Sequence, residues 1–93
     1  MNEKFYSLKI ITAEKVFYEG NVVSAVIPGE VGYLGVLANH APLVTTCVPG
    51  QLYFRDTQGA EHRYQVEKGF LEILANQVTF LTDKVFGSKE INE

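Results

Sequence analysis

The sequence predicts an all-β fold, a flattened sandwich or barrel of about eight to ten short strands. Three observations carry this. Apolar and polar residues alternate at period two through most of the chain. Turn formers recur roughly every eight to twelve residues. No window sustains the 3.6-residue period of an amphipathic helix.

Lys4 to Ile11 alternates, with Tyr6, Leu8 and Ile10 on one side and Ser7, Lys9 and Ile11 on the other. Thr12-Ala13-Glu14 breaks the run, and Lys15 to Tyr18 reads as a second short strand. Glu19-Gly20-Asn21 is expected to turn, because Gly and Asn both accept positive φ. Asn21 to Pro28 is rich in Val and Ile and reads as a third strand, ended by Pro28-Gly29.

From Gly29 to Gly35 a glycine falls at every third position, so short extended pieces and tight bends are expected rather than one strand. Leu43 to Val48 is strand again, and Pro49-Gly50 turns. Gln51–Arg55 and Glu61–Val66 flank Asp56-Thr57-Gln58-Gly59. There Asp opens the turn and Gly takes the left-handed position of a hairpin. Lys68-Gly69 turns the chain, and Phe70–Leu74 and Val78–Leu81 form a last hairpin around Ala75-Asn76-Gln77. Residues 1–86 are expected to form one sandwich domain and 87–93 a polar tail.

Ninety-three residues with 46% apolar and 20% charged residues make one ordinary globular domain. A net charge of −3, with the eight Lys and Arg scattered, argues against a nucleic-acid partner. A single cysteine allows no internal disulfide and fits a reducing compartment. No charged n-region precedes an apolar stretch, so no signal peptide is expected, and no apolar run reaches membrane length.

His40, in Asn39-His40-Ala41-Pro42, could serve as a base or metal ligand; the plainer reading is a ring bonded to a loop backbone or to a partner protein. His62 lies mid-strand, and two isolated histidines make a poor metal site. Cys47, without a cationic neighbour in sequence, reads as a small core residue. Gly29, Gly32 and Gly35 lack the Lys-Ser/Thr and the helix of a phosphate cradle. No catalytic set, metal or cofactor is expected. The last hairpin is apolar on both faces, which marks either a central strand pair or a binding surface.

The stretch GEVGYLGVLANHAPLVTTCVPG, Gly29 to Gly50, resembles the signature of the epsilon subunit of F-type ATP synthases, close to G-x-x-G-x-L/F-G-I/V-L-P-G-H-A-P-L-L-T-x-L-x-P-G. The resemblance continues at Leu8–Glu14, at Lys68–Ile73 and at Asn76–Asp83, in order and nearly without gaps. It implies a ten-stranded sandwich and a non-catalytic part of the rotor stalk. That part binds the gamma subunit and the polar loops of the c-ring, and so couples proton or sodium flow to ATP synthesis. It also implies a peripheral position at the cytoplasmic face of the membrane, without insertion.

By position in the signature, His40, Ala41 and Thr45 fall at the gamma interface. Thr12 and the loop Gly29, Glu30, Val31, Gly32 and Tyr33 fall at the c-ring interface. Two positions differ from the family pattern. Ala38-Asn39 stands for Pro-Gly, where Asn can still take the left-handed bend. Tyr33 stands where an acidic residue is common, and suits an interface anchor instead. Many members also carry a C-terminal helical hairpin. This chain ends at Glu93, so neither that hairpin nor ATP binding is expected. Two other functions fit the residues. One is a small-molecule- or sugar-binding sandwich with a groove of Tyr33, Tyr53 and Tyr64. The other is a small hydrolase using His40 with Asp56 or Glu61.

Overall fold

The computed structural model describes residues 4–87, and every regular element among them is a β-strand. Ser88 to Glu93, most of the expected tail, lie outside the described residues, as do Met1 to Glu3. The strands are β1 (Tyr6–Ile11), β2 (Val16–Gly29), β3 (Gly32–Leu37), β4 (Leu43–Cys47), β5 (Gly50–Asp56), β6 (Glu61–Val66), β7 (Gly69–Leu74), β8 (Gln77–Thr82) and β9 (Val85–Phe86).

β2 organises the fold. Its first half pairs antiparallel with β1, from Tyr6 opposite Val22 to Ile11 opposite Val16. Its second half pairs with β3 on one side and β5 on the other, so Ser24, Ala25 and Val26 are bonded to both. One long strand therefore passes from one layer into the other. The first layer runs β4-β7-β8-β1-β2, with β1 and β8 parallel; the second runs β3-β2-β5-β6-β9. A single pairing, Gly29 with Cys47, joins β2 to β4.

This corrects two expectations. Glu19-Gly20-Asn21 is not a turn; the strand continues through it from Val16 to Gly29. A Cβ at Gly20 would meet the Tyr18 hydroxyl at 2.7 Å, so the glycine makes room for a ring rather than a reversal. Gly32 to Leu37 is a continuous strand, not a set of bends, and only Glu30-Val31 turns. The described residues hold nine strands, within the eight to ten read from the sequence and one fewer than the ten that the resemblance implies. The change of layer falls at Val22 and Val23, consecutive residues that are both buried. A register shift between Val22 and Ser24 adds the extra residue that bends the strand.

The core lies between the layers and follows the alternation read from the sequence. Tyr6, Leu8 and Ile10 meet Leu71, Ile73, Val78 and Phe80 from the first layer, and Ile27, Leu52, Phe54 and Val66 from the second. Cys47 belongs to this core, and burial pushes its thiol pKa up, so it stays protonated and unreactive. The Asp56–Gly59 hairpin forms as expected, with Gly59 at φ 88° and the Asp56 carboxylate accepting from the Gln58 and Ala60 amides. In the last hairpin Ala75 and Asn76 both have positive φ, 52° and 62°, the two-residue turn that matches strand twist.

Candidate interaction surfaces at the two ends of the sandwich

β3 starts at Gly32 and ends at Leu37, and β4 returns from Leu43 to Cys47. The Glu30-Val31 turn therefore lies at one end of the sandwich, and the Asn39–Ala41 loop at the other. Six residues of strand, about 20 Å, separate them.

The first end gathers the residues assigned to the c-ring. Gly29 is buried, and a Cβ there would press on the Gly32 carbonyl oxygen at 2.9 Å, which keeps the turn tight. Gly32 has φ 145°, a value open to glycine. Val31 sits at the tip with 101% relative exposure, and Tyr33 beside it is 61% exposed. The Tyr33 hydroxyl accepts from the Gln51 amide at 3.2 Å, which holds the ring against β5. The Thr46 hydroxyl donates to the Glu30 carboxylate and so ties the turn to β4. Thr12 stands in the β1–β2 turn, where its hydroxyl accepts from the Glu14 and Lys15 amides at 3.3 Å each. Thr12 and Thr46 both line a groove of about 490 Å³, walled by Ile11, Phe70 and Leu81. Thr12 and the Gly29–Tyr33 turn are thus brought to the same end through Thr46.

The groove opens onto the outer face of the first layer. Phe70, Leu74, Leu81 and Val44 point outward there and are exposed, while their neighbours Leu71 and Ile73 fill the core. The two-faced apolar pattern of the last hairpin is therefore half core and half surface.

At the second end, the His40 ring is half-buried and its Nδ1 bonds the Ala41 carbonyl at 2.7 Å, the loop-backbone arrangement expected of it. Ala41 and Pro42 are exposed. Thr45 is not gathered with them. It is the third residue of β4, opposite Leu71, with its half-buried side chain on the inner row of the strand. Val44 and Thr46 hold the outer positions. Asn39 has φ 67°, so the left-handed bend forms with Asn. Its amide donates to Asn76 Oδ1 at 2.6 Å, a partnership 37 residues apart that neither local segment announces.

The other candidate sets are not assembled. Tyr53 lies on the outer face with the Arg63 guanidinium 4.8 Å above its ring. Tyr64 packs on the core side, edge to face with Phe17 at 5.0 Å, so Tyr33, Tyr53 and Tyr64 line no common groove. Asp56 pairs with His62, Oδ2 to Nε2 at 3.0 Å, rather than with His40. The His62 ring stacks on Phe54 at 4.6 Å. Bonds to His62 and to the Ala60 and Gln58 amides hold the Asp56 carboxyl below its usual range. Tyr18 lies beside this pair, its pKa raised by burial first and then by Asp56. Among the described residues, no three of His, Cys, Asp and Glu group so as to hold a metal ion.

Closely packed layers, loops tied at both ends and an apolar outer face define a small β-sandwich domain with exposed apolar surface. The chain belongs to the ATP synthase delta/epsilon chain β-sandwich domain family, whose model matches residues 5–88. Among curated relatives, the ATP synthase epsilon chain of Moorella thermoacetica is 43% identical over 86 residues, covering 92% of this chain and 64% of that protein. That of Dichelobacter nodosus is 34% identical over 88 residues, covering 95% and 62%. This chain thus spans less than two thirds of the length of these relatives. A chain of the Euglena gracilis mitochondrial ATP synthase, in a structure of its OSCP, F1 and c-ring, superposes with a TM-score of 0.87 at 22% identity. The match covers 99% of this chain and 58% of that one. A chain from the Tetrahymena thermophila mitochondrial ATP synthase central stalk and c-ring matches at TM-score 0.79 and 16% identity, covering 99% and 73%. At these identities the structural matches establish the fold.

Proposed function

We propose that this sandwich, residues 1–86 followed by a polar tail, is the stalk domain of an ATP synthase epsilon chain. It acts without catalysis, bridging the gamma subunit and the c-ring so that ion flow drives ATP synthesis. The His40–Ala41 loop, with exposed Val44 beside it, faces gamma; Thr45 supports that strand from within. The Val31 tip with Gly29, Glu30, Gly32, Tyr33 and Thr12 faces the polar loops of the c-ring. The domain sits peripherally at the cytoplasmic face of the membrane and binds no ATP by itself.

The observation that carries this is the separation of the two residue sets to opposite ends of one stiff sandwich. A part that transmits torque between two partners needs two docking ends and little give between them. Continuous β2, running through both layers, supplies the stiffness.

The test is a pair of charge insertions, His40→Glu and Val31→Glu, each measured against isolated gamma and against detergent-solubilised c-ring. The expected result is a crossed pattern: His40→Glu weakens gamma binding and spares the c-ring, and Val31→Glu does the reverse. Binding unchanged in both variants refutes the assignment of the ends.

A further inference from the structure

The loop that carries His40 and Ala41 has few bonds of its own. Its residues 38–42 lie outside any strand, and the His40 ring bonds only within the loop, to Ala41. What fixes the loop to the body is a reciprocal pair of amides. The Asn39 backbone N–H donates to Asn76 Oδ1 at 2.6 Å, and Asn76 Nδ2 donates to Asn39 Oδ1 at 3.1 Å.

Both residues sit in the left-handed region, at φ 67° and 62°. Asparagine enters that region with less strain than most residues, so each turn accepts it. Asn76 is itself anchored, because its carbonyl accepts from the Ser7 amide at 3.0 Å at the start of the β1–β8 pairing. The loop is thereby tied to β1, β7 and β8, the strands of the opposite layer from β3. On its other flank, the Tyr6 hydroxyl donates to the Val36 carbonyl and holds the end of β3.

We propose that Asn76 is a positioning residue for the gamma-facing loop: through its amide pair with Asn39 it sets the loop in its docking conformation. This rests on the proposed function, and Asn76 itself need not touch gamma. A loop ordered in advance binds without losing that freedom at the interface, so removing the pair lowers affinity rather than abolishing it. The loss of two exposed hydrogen bonds corresponds to about tenfold in affinity.

Two measurements on the full chain separate the inference from the reading beneath it. The first is hydrogen exchange of the Asn39 amide by NMR; the second is the Kd for purified gamma. Asn76→Gly keeps the left-handed turn and removes the amide. It is expected to speed Asn39 exchange by about tenfold or more and to raise Kd by about tenfold. Asn39→Gly keeps the backbone N–H and loses only the Asn39 Oδ1 bond, so Asn39→Gly combined with Asn76→Gly is expected to bind no worse than Asn76→Gly alone, which already removes both bonds. Asn76→Asp keeps the acceptor for the Asn39 amide and is expected to recover most of the affinity. Faster Asn39 exchange with an unchanged Kd overturns the positioning role while leaving gamma binding intact. A wild-type chain that does not bind gamma removes both the reading and the role.

Discussion

The Tyr6 phenol crosses the interior from β1 and donates to the Val36 carbonyl of β3 at 2.8 Å, with both residues buried. Burial pushes the phenol pKa up, so it remains a donor throughout the physiological range. This bond links two strands that each pair with β2 but not with one another. Tyr6→Phe keeps the ring and leaves the Val36 carbonyl without its partner. The expected cost is about 1–3 kcal/mol, a fall in Tm of several degrees for a domain of this size by thermal unfolding. An unchanged Tm means that water or another donor replaces the phenol.

Asp56 makes stability depend on acid. Its carboxyl is held below the usual range by the His62 bond first, then by the Ala60 and Gln58 amides. A depressed folded pKa contributes stability above the unfolded value, near 3.9, and that contribution is lost as pH falls through the folded value. Asp56→Asn is therefore expected to be less stable than wild type at pH 5 and above. The gap should narrow as pH drops below about 4. Urea midpoints from pH 2 to 7 measure it, and a gap that widens toward low pH contradicts the assignment.

Two glycines in strands make opposite demands. A Cβ at Gly69 would sit against the Leu81 carbonyl, which is backbone of the paired strand, whereas one at Gly35 meets nothing within 4 Å. Gly69→Ala is expected to destabilise by more than about 2 kcal/mol, because β7 and β8 must separate. Gly35→Ala is expected to be neutral or to stabilise by about 0.5 kcal/mol, through a less flexible unfolded chain. Chemical denaturation of both variants tests the contrast, which fails if the two shift alike.

Val31 is a surface prediction. Its side chain stands fully clear of the sandwich, so Val31→Asp is expected to change stability by less than about 0.5 kcal/mol. The same change should weaken binding to c-rings. Equal c-ring binding at unchanged stability places the docking surface elsewhere.

Alternation in β1, β5, β7 and β8 was legible in the sequence because each of these strands buries one face. Tyr6-Leu8-Ile10 and Leu71-Ile73 sit in the core as that pattern requires. Gly20-Asn21 was misleading because a turn and a crowded strand both favour glycine; only the position of the Tyr18 ring separates them. The continuity of Gly32–Leu37 was hidden because β2 supplies pairing that no local pattern reveals. At the candidate ends, the Gly29–Gly50 signature located the loops. The Asn39–Asn76 and Glu30–Thr46 ties, made across distant segments, depend on tertiary structure. His62 carries no local sign of Asp56, six residues away across the hairpin.

The most direct measurement mixes this chain with the gamma subunit encoded in the same genome and weighs the mixture by native mass spectrometry at micromolar concentration. A one-to-one complex that falls apart when His40 is replaced by Glu is the predicted result. A chain that remains alone while the same gamma binds a longer epsilon chain contradicts the claim that this sandwich carries the gamma interface.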